Sequence, residues 1–230
     1  MKTIIFDFDG TLTKKSNEIW RRVWIRLDAQ DIDDELYTKA SNGEISYEEW
    51  CKEIEKEFSK RKLSKAILEE LAQDIKMMEN LEETLNELKN RGYDLRILSG
   101  GINYVINYLL KDKVKYFSDI RTNNFYFDEN GYLVKIQDTD SDEEGKARYI
   151  LNHIKETSSK PEEIIFIGNG HNDRFVSQTG CHTICLNPNG TNHKDTTIWH
   201  TYIDNTEDLK DILPVIEKIE NKNKIKNQGL

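Results

Sequence analysis

Residues 3–11, Thr3-Ile4-Ile5-Phe6-Asp7-Phe8-Asp9-Gly10-Thr11, decide how this chain is read. Ile4, Ile5 and Phe6 make a short run apolar enough for the centre of a parallel sheet, where both faces are covered. The run closes on two carboxylates and leads straight into Gly-Thr. An unpaired carboxylate in that position is costly. Something must make the charges of Asp7 and Asp9 worth keeping.

Outward from this strand, short apolar segments recur at residues 93–100 (YDLRILSG), 162–170 (EEIIFIGNG) and 181–187 (CHTICLN), with a weaker one at 201–205 (TYIDN). Helical periodicity separates them. Leu81, Leu85 and Leu88 share one face of a helix that Gly92 stops, and Ala147, Ile150, Leu151 and Ile154 share a face of another. Strands alternating with helices predict an α/β fold, a Rossmann-like core with a parallel sheet. The first three strands each end in a glycine-containing polar turn, the position at which ligands sit in open α/β sheets.

The interval from Lys14 to about Asn80 contains no convincing strand. Trp20, Trp24 and Leu27, then Trp50, Ile54 and Phe58, then Ile67, Leu68 and Leu71 follow helical spacing, which predicts a small α-helical cap inserted after the first strand. Asn130-Gly131, flanked by aromatic and branched residues, predicts a β-hairpin. The expected division is residues 1–13 and 81–219 for the core, 14–80 for the cap and 220–230 for a polar, frayed tail.

Composition narrows the function. With 33 Lys and Arg against 42 Asp and Glu, the net charge of −9 argues against a partner such as nucleic acid or an anionic membrane. No apolar run approaches the ~18 residues of a membrane span, and Asp7 interrupts the apolar start before it reaches signal-peptide length. The expected location is cytoplasmic. The three cysteines Cys51, Cys181 and Cys185 have no framework spacing and fit a reducing compartment. Cys181-His182-x-x-Cys185 is read as strand material in which cysteine acts as a small buried hydrophobe. The acidic run 138–145, DTDSDEEG, lacks calcium-loop spacing and is read as a solvated approach to a helix.

Four features stand in chain order at strand ends: Asp7-x-Asp9-Gly10-Thr11, Ser99-Gly100-Gly101, Lys146, and Gly168-Asn169-Gly170-His171-Asn172-Asp173. This order resembles the haloacid dehalogenase superfamily, and within it the branch of phosphatases similar to phosphoserine phosphatase. The helical insertion and the Asn-Gly hairpin have counterparts there, so the resemblance covers most of the chain.

Phosphate monoesters resist unaided hydrolysis so strongly that enzymes accelerate it by up to ~10²¹. A site must neutralise charge and supply a nucleophile. Asp7 is the expected nucleophile, forming an aspartyl-phosphate. Asp9 is the expected acid and base. Thr11 offers a hydroxyl and an amide to phosphate. The resemblance implies Mg²⁺ as cofactor, with the Asp7 carboxylate and Asp9 carbonyl among its ligands. It further implies that Ser99, Gly100 and Gly101 contact the phosphoryl oxygens, that Lys146 adds positive charge, and that Asp173 completes the metal site while Asn172 steadies the loop.

Two departures bear on function. The fourth motif of the family carries an aspartate where this chain has Asn169, which lacks the charge of a carboxylate ligand, so Asp173 is expected to take more of the metal and a site without turnover stays open. The cap segment at residues 42–58 holds no arginine to grip an amino-acid carboxylate. Glu18, Arg21, Arg22 and Lys52 are the nearest charged candidates, and Trp20, Trp24 and Tyr47 are candidates for an apolar pocket. Helical spacing favours Trp20 and Trp24 as cap core, and His171 reads as a polar loop residue. The expected partner is a small phosphorylated metabolite, cleaved by water or passed to an alcohol by a phosphotransferase; oligomeric state is left open.

Overall fold

The computed structural model describes residues 2–14, 19–188 and 195–227, the side chains of Tyr47 and residues 224–227 excepted. Strand β1 (Thr3–Phe6) is fully buried and lies at the centre of a seven-stranded sheet. It pairs in parallel with β2 (Asp94–Ile102) on one side and β5 (Ile164–Gly168) on the other. Outward from β2 lie β3 (Asp119–Phe127) and the antiparallel β4 (Leu133–Gln137). Outward from β5 lie β6 (His182–Leu186) and β7 (Thr201–Ile203). Ile4, Ile5 and Phe6 are each 0% exposed, and burying such side chains contributes roughly 1.5–3 kcal/mol apiece. The architecture is the expected α/β one, with the Asn130-Gly131 hairpin joining β3 to β4.

Parallel pairing puts the carboxyl ends of β1, β2 and β5 side by side, which brings together three motifs distant in sequence. One difference from the sequence reading lies in β2. Ser99-Gly100-Gly101 is not a turn that ends the strand; the strand runs on to Ile102, with its register against β3 shifting between Leu98 and Ile102. Two glycines without Cβ atoms let the backbone bulge there without breaking the ladder.

Four helices follow β1: α1 (Ile19–Arg26), α2 (Gln30–Ser41), α3 (Tyr47–Lys60) and α4 (Lys65–Ala72). Helix α3 starts on a capping box, in which Ser46 Oγ accepts from Glu49 N and Glu49 Oε2 accepts from Ser46 N. The chain leaves and re-enters the body through a paired neck. Lys14 N donates to Lys76 O, Met78 N donates to Leu12 O, and Thr13 stands opposite Met77. The insertion does not have a core of its own. Val23, Trp24, Ile54, Phe58, Leu63 and Leu68 form one apolar cluster with Ile102, Val105, Phe125, Leu133 and Ile136 of the body.

Helices α5 (Leu81–Asn90), α6 (Asn103–Leu110), α7 (Glu144–Thr157) and α8 (Ile212–Asn227) complete the body. Helix α8 runs through Asn227, into the stretch expected to fray, anchored at its start by the buried Ile212, Ile216 and Ile219. Cys181 and Cys185 pack in an apolar cluster with Ile5, Leu98 and Phe166. Burial pushes their thiols up, to about 11 and about 12.

Candidate active site

Beyond Phe6 the chain keeps to the sheet for one more residue, Asp7 N donating to Ile167 O at 2.8 Å, and then turns. The amides of Thr11, Leu12 and Thr13 all converge on the Phe8 carbonyl. Gly10 sits at φ +75°, a left-handed conformation that strains any residue with a Cβ. Gly10 N donates to Thr13 Oγ1, whereas the buried Thr11 Oγ1 has no hydrogen-bond partner among the described residues. Asp7 is 3% exposed.

Lys146 joins the motifs. It lies in the first turn of α7 and is 0% exposed. Its ammonium donates to Asp7 Oδ1 at 3.0 Å and to Asp173 Oδ1 at 2.6 Å. Gly145, beside it, lets the Asp140 carbonyl close on the start of α7, because a Cβ there would overlap it. Asp173 is also 0% exposed, and its Oδ2 accepts from the amides of Asn169 and Gly170, both at 3.1 Å. Both oxygens of Asp173 are thus committed to donors on the protein.

Ser99 is buried on β2, and its Oγ accepts from Gly101 N at 3.2 Å. A Cβ on Gly101 would come 3.0 Å from Ile106 Cδ1 and 3.5 Å from Asp9 Oδ2, which places the β2 bulge in contact range of the Asp9 carboxylate. Asp7, Asp9, Ser99, Lys146, Asn169 and Asp173, spread over most of the chain, therefore share one end of the sheet.

The electrostatics follow from burial. Removal from water raises the Asp7 carboxyl from its ordinary 3.8 to about 7; Lys146 opposes the rise, and Asp173 and Asp9 add to it. Burial alone would lower the Lys146 ammonium, but the carboxylates of Asp173 and Asp7 outweigh it and hold the lysine charged. Two buried carboxylates thus share one buried cation.

The cap side differs from the sequence reading in its charges. Arg21 pairs with Asp33 and Asp34, Arg22 with Asp74, and Lys52 with Glu48. Their charges are met within the insertion. Trp24 is cap core, 1% exposed and 4.5 Å centroid to centroid from Phe58. Trp20 does more than pack. Its indole Nε1 donates to Gly100 O at 3.0 Å and so ties α1 to the β2 bulge. Glu18 and the side chain of Tyr47 lie outside the described residues.

One site residue escaped the sequence reading. Asp142, within the acidic run taken for a solvated helix approach, accepts from Asn172 Nδ2 at 2.8 Å and lies 3.9 Å from the Lys146 ammonium. Its position four residues before Lys146 was the available signal, since residues at that spacing lie together at a helix start.

Comparison with known proteins gives the family and the fold. The model of the haloacid dehalogenase-like hydrolases matches residues 1–174. The phosphoserine phosphatase of Methanocaldococcus jannaschii is 30% identical over 178 residues, covering 75% of this chain and 79% of its own length. That of Archaeoglobus fulgidus is 29% identical over 176 residues and 76% of this chain; the chain spans about half, 49%, of its length. Two solved structures share the fold. A phospho-aspartyl intermediate analogue of phosphoserine phosphatase superposes with a TM-score of 0.68 at 24% identity, covering 93% of this chain and 98% of that one. A substrate-bound phosphoserine phosphatase complex gives 0.69 at 22% identity, covering 93% and 97%. With the two-carboxylate strand end, the buried lysine and the fourth-motif loop all in place, the chain belongs to the haloacid dehalogenase-like hydrolases, in their phosphoserine phosphatase-like branch.

Proposed function

We propose that the chain is a Mg²⁺-dependent phosphatase that hydrolyses a small phosphomonoester through an aspartyl-phosphate on Asp7. The observation that carries this reading is the buried Lys146 ammonium, bonded at once to Asp7 and to Asp173 at the carboxyl end of β1 and β5. A lysine held there neutralises a phosphoryl group arriving at Asp7 and works against the burial that favours the protonated carboxyl.

The residues fit a hard divalent cation. Lys146 meets the carboxylates of both Asp7 and Asp173, with Asp9 adding to the rise of the Asp7 carboxyl, so acidic groups outnumber the lysine they face. The donors at hand are all oxygens: the Asp7 carboxylate, the Asp9 main-chain carbonyl and the Asn169 side-chain carbonyl, a set suited to Mg²⁺. Asp173, expected from the sequence to take a larger share of the metal, has both oxygens engaged by Lys146 and the amides of Asn169 and Gly170. Its role in this reading is to position Lys146. Bound Mg²⁺ would supply charge neutralisation for the phosphoryl oxygens and keep Asp7 deprotonated.

An Asp7 carboxylate oxygen attacks phosphorus, an acyl-phosphate bond forms, and the bond from phosphorus to the ester oxygen breaks. Asp9, entering as the acid, gives its proton to that departing oxygen. It then takes a proton from water, whose oxygen attacks phosphorus; the acyl-phosphate bond breaks, inorganic phosphate leaves and the Asp7 carboxylate is regenerated. The hydroxyl of Ser99 and that of Thr11, which has no partner among the described residues, are neutral donors beside this path. The cap, seated on the β2 bulge through Trp20, limits the leaving group to a small one.

Phosphate release from a panel of phosphomonoesters, with Mg²⁺ and with EDTA, tests the reading, with Asp7→Asn as the blank. Mg²⁺-dependent release that the blank lacks is the expected result. Release that survives Asp7→Asn removes Asp7 as nucleophile, and release from no ester removes the phosphatase assignment.

A further inference from the structure

Two side chains that the chemistry above does not use meet at Gly100. From the cap, the Trp20 indole donates to the Gly100 carbonyl at 3.0 Å. From the loop before α7, Asp142 crowds the same residue so closely that a Cβ on Gly100 would lie 2.6 Å from Asp142 Oδ2. Asp142 is held in this place. Asn172 donates to its Oδ1 and its own carbonyl accepts from Gly145 N, yet its side chain stays 33% exposed. Lys146, which touches the nucleophile, is 3.9 Å away. Trp20 and Asp142 thus flank the residue next to Ser99, close to the Lys146 that touches Asp7.

The indole is rigidly backed. Its ring centroid lies 5.3 Å from that of Phe125, 6.3 Å from Phe58 and 6.4 Å from Trp50, while part of Trp20 remains exposed. The arginines of the same helix do not serve this face. Arg21, Arg22 and Arg26 are paired with Asp33, Asp34, Asp74 and Glu70 of the insertion. Lys146 is enclosed by Asp7 and Asp173, and Arg174, just beyond β5, is paired with Glu143. A leaving group with an added carboxylate would meet like charge at Asp142. A neutral one would gain contact only. A cationic one would gain both the carboxylate and the electron-rich face of the indole.

On the phosphatase reading above, we infer that Asp142 and Trp20 select a phosphomonoester whose leaving group carries a positive charge and no carboxylate, an ester of an amino alcohol. Asp142 and Trp20 are specificity residues here; neither takes part in bond making.

The test uses the full chain with Mg²⁺ and compares kcat/KM for ethanolamine phosphate and choline phosphate with glycerol phosphate and phosphoserine, and p-nitrophenyl phosphate as a general reporter of turnover. Cationic esters are expected to exceed glycerol phosphate by about tenfold. Asp142→Asn should bring that ratio close to one, Asp142→Glu should retain part of it, and Trp20→Leu should lower it most for choline phosphate. If Asp142 serves only to orient Asn172, its replacement changes all esters alike and the ratio persists. A ratio near one in the parent, or one unchanged by Asp142→Asn, overturns the inference even when p-nitrophenyl phosphate is turned over. Turnover of no ester at all overturns both this inference and the phosphatase reading.

Discussion

Asp7→Asn offers a test that needs no substrate. Removal from water raises the Asp7 carboxyl from 3.8 to about 7, against the pull of Lys146 and with the help of Asp173 and Asp9. A carboxyl raised on folding keeps its proton to a higher pH in the native chain than in the unfolded one. Its protonated form leaves stability intact in acid, and stability then falls as pH rises from about 4 to about 7. At about 1.4 kcal/mol per pH unit, that span amounts to about 4 kcal/mol in the metal-free protein. Asparagine is an uncharged isostere and carries no such slope. In EDTA, urea unfolding followed by circular dichroism at a series of pH values should show the variant gaining on its parent by up to about 4 kcal/mol by pH 8, with little difference at pH 4. Added Mg²⁺ should return stability at pH 8 to the parent alone, because only the parent has a carboxylate for it. Other groups titrate in both proteins, so the difference between the two curves is the quantity to read. Parallel curves from pH 4 to pH 8 would refute the argument that Asp7 is a buried, under-compensated charge.

Lys146→Met should cost about 3–5 kcal/mol at neutral pH, since it leaves two buried carboxylates facing each other, and should remove turnover. Urea melts check it; a loss under about 1 kcal/mol would mean that the pair is solvated. Asn169→Asp should lower the Mg²⁺ concentration for half-maximal activity by about tenfold, the ratio that ~1.4 kcal/mol gives. An unchanged Mg²⁺ titration would place Asn169 away from the cation. Gly168→Ala sets a methyl group into the Asp173 carboxylate and 2.7 Å from Phe166 Cε1, and should destabilise by about 1–3 kcal/mol while lowering kcat through the displaced Asp173–Lys146 pair. Wild-type kcat in that variant would show that Asp173 does not position the lysine.

Asp142 places a carboxylate beside Gly100, at the end of the sheet where the fourth motif carries the uncharged Asn169. The metal prediction for Asn169 and the leaving-group preference inferred for Asp142 are therefore read by separate measurements.

Much of the molecule was legible in the amino-acid order alone, because it depends on local rules. Short apolar runs, helical periodicity and Asn130-Gly131 specify strands, helices and a hairpin through contacts within a few residues. Asp7, Asp9, Ser99 and Asp173 stand at or just beyond the carboxyl ends of β1, β2 and β5, which parallel pairing places together and which can be marked in sequence, whereas Lys146, in the first turn of α7, was recognisable only by its order in the family resemblance. What periodicity does not encode is which face of the cap meets the body. The shared cluster of Phe58, Trp24, Phe125 and Ile136, and the Trp20 hydrogen bond to Gly100, arise from packing between segments far apart in the chain. The same holds for charge. Arg21, Arg22 and Lys52 read equally well as substrate contacts or as ion pairs, and only their distances to Asp33, Asp34, Asp74 and Glu48 decide for the latter. Asp142 looked solvated among its acidic neighbours until the fold brought Asn172 and Gly100 against it, since a carboxylate takes its role from the donors the tertiary structure sets beside it.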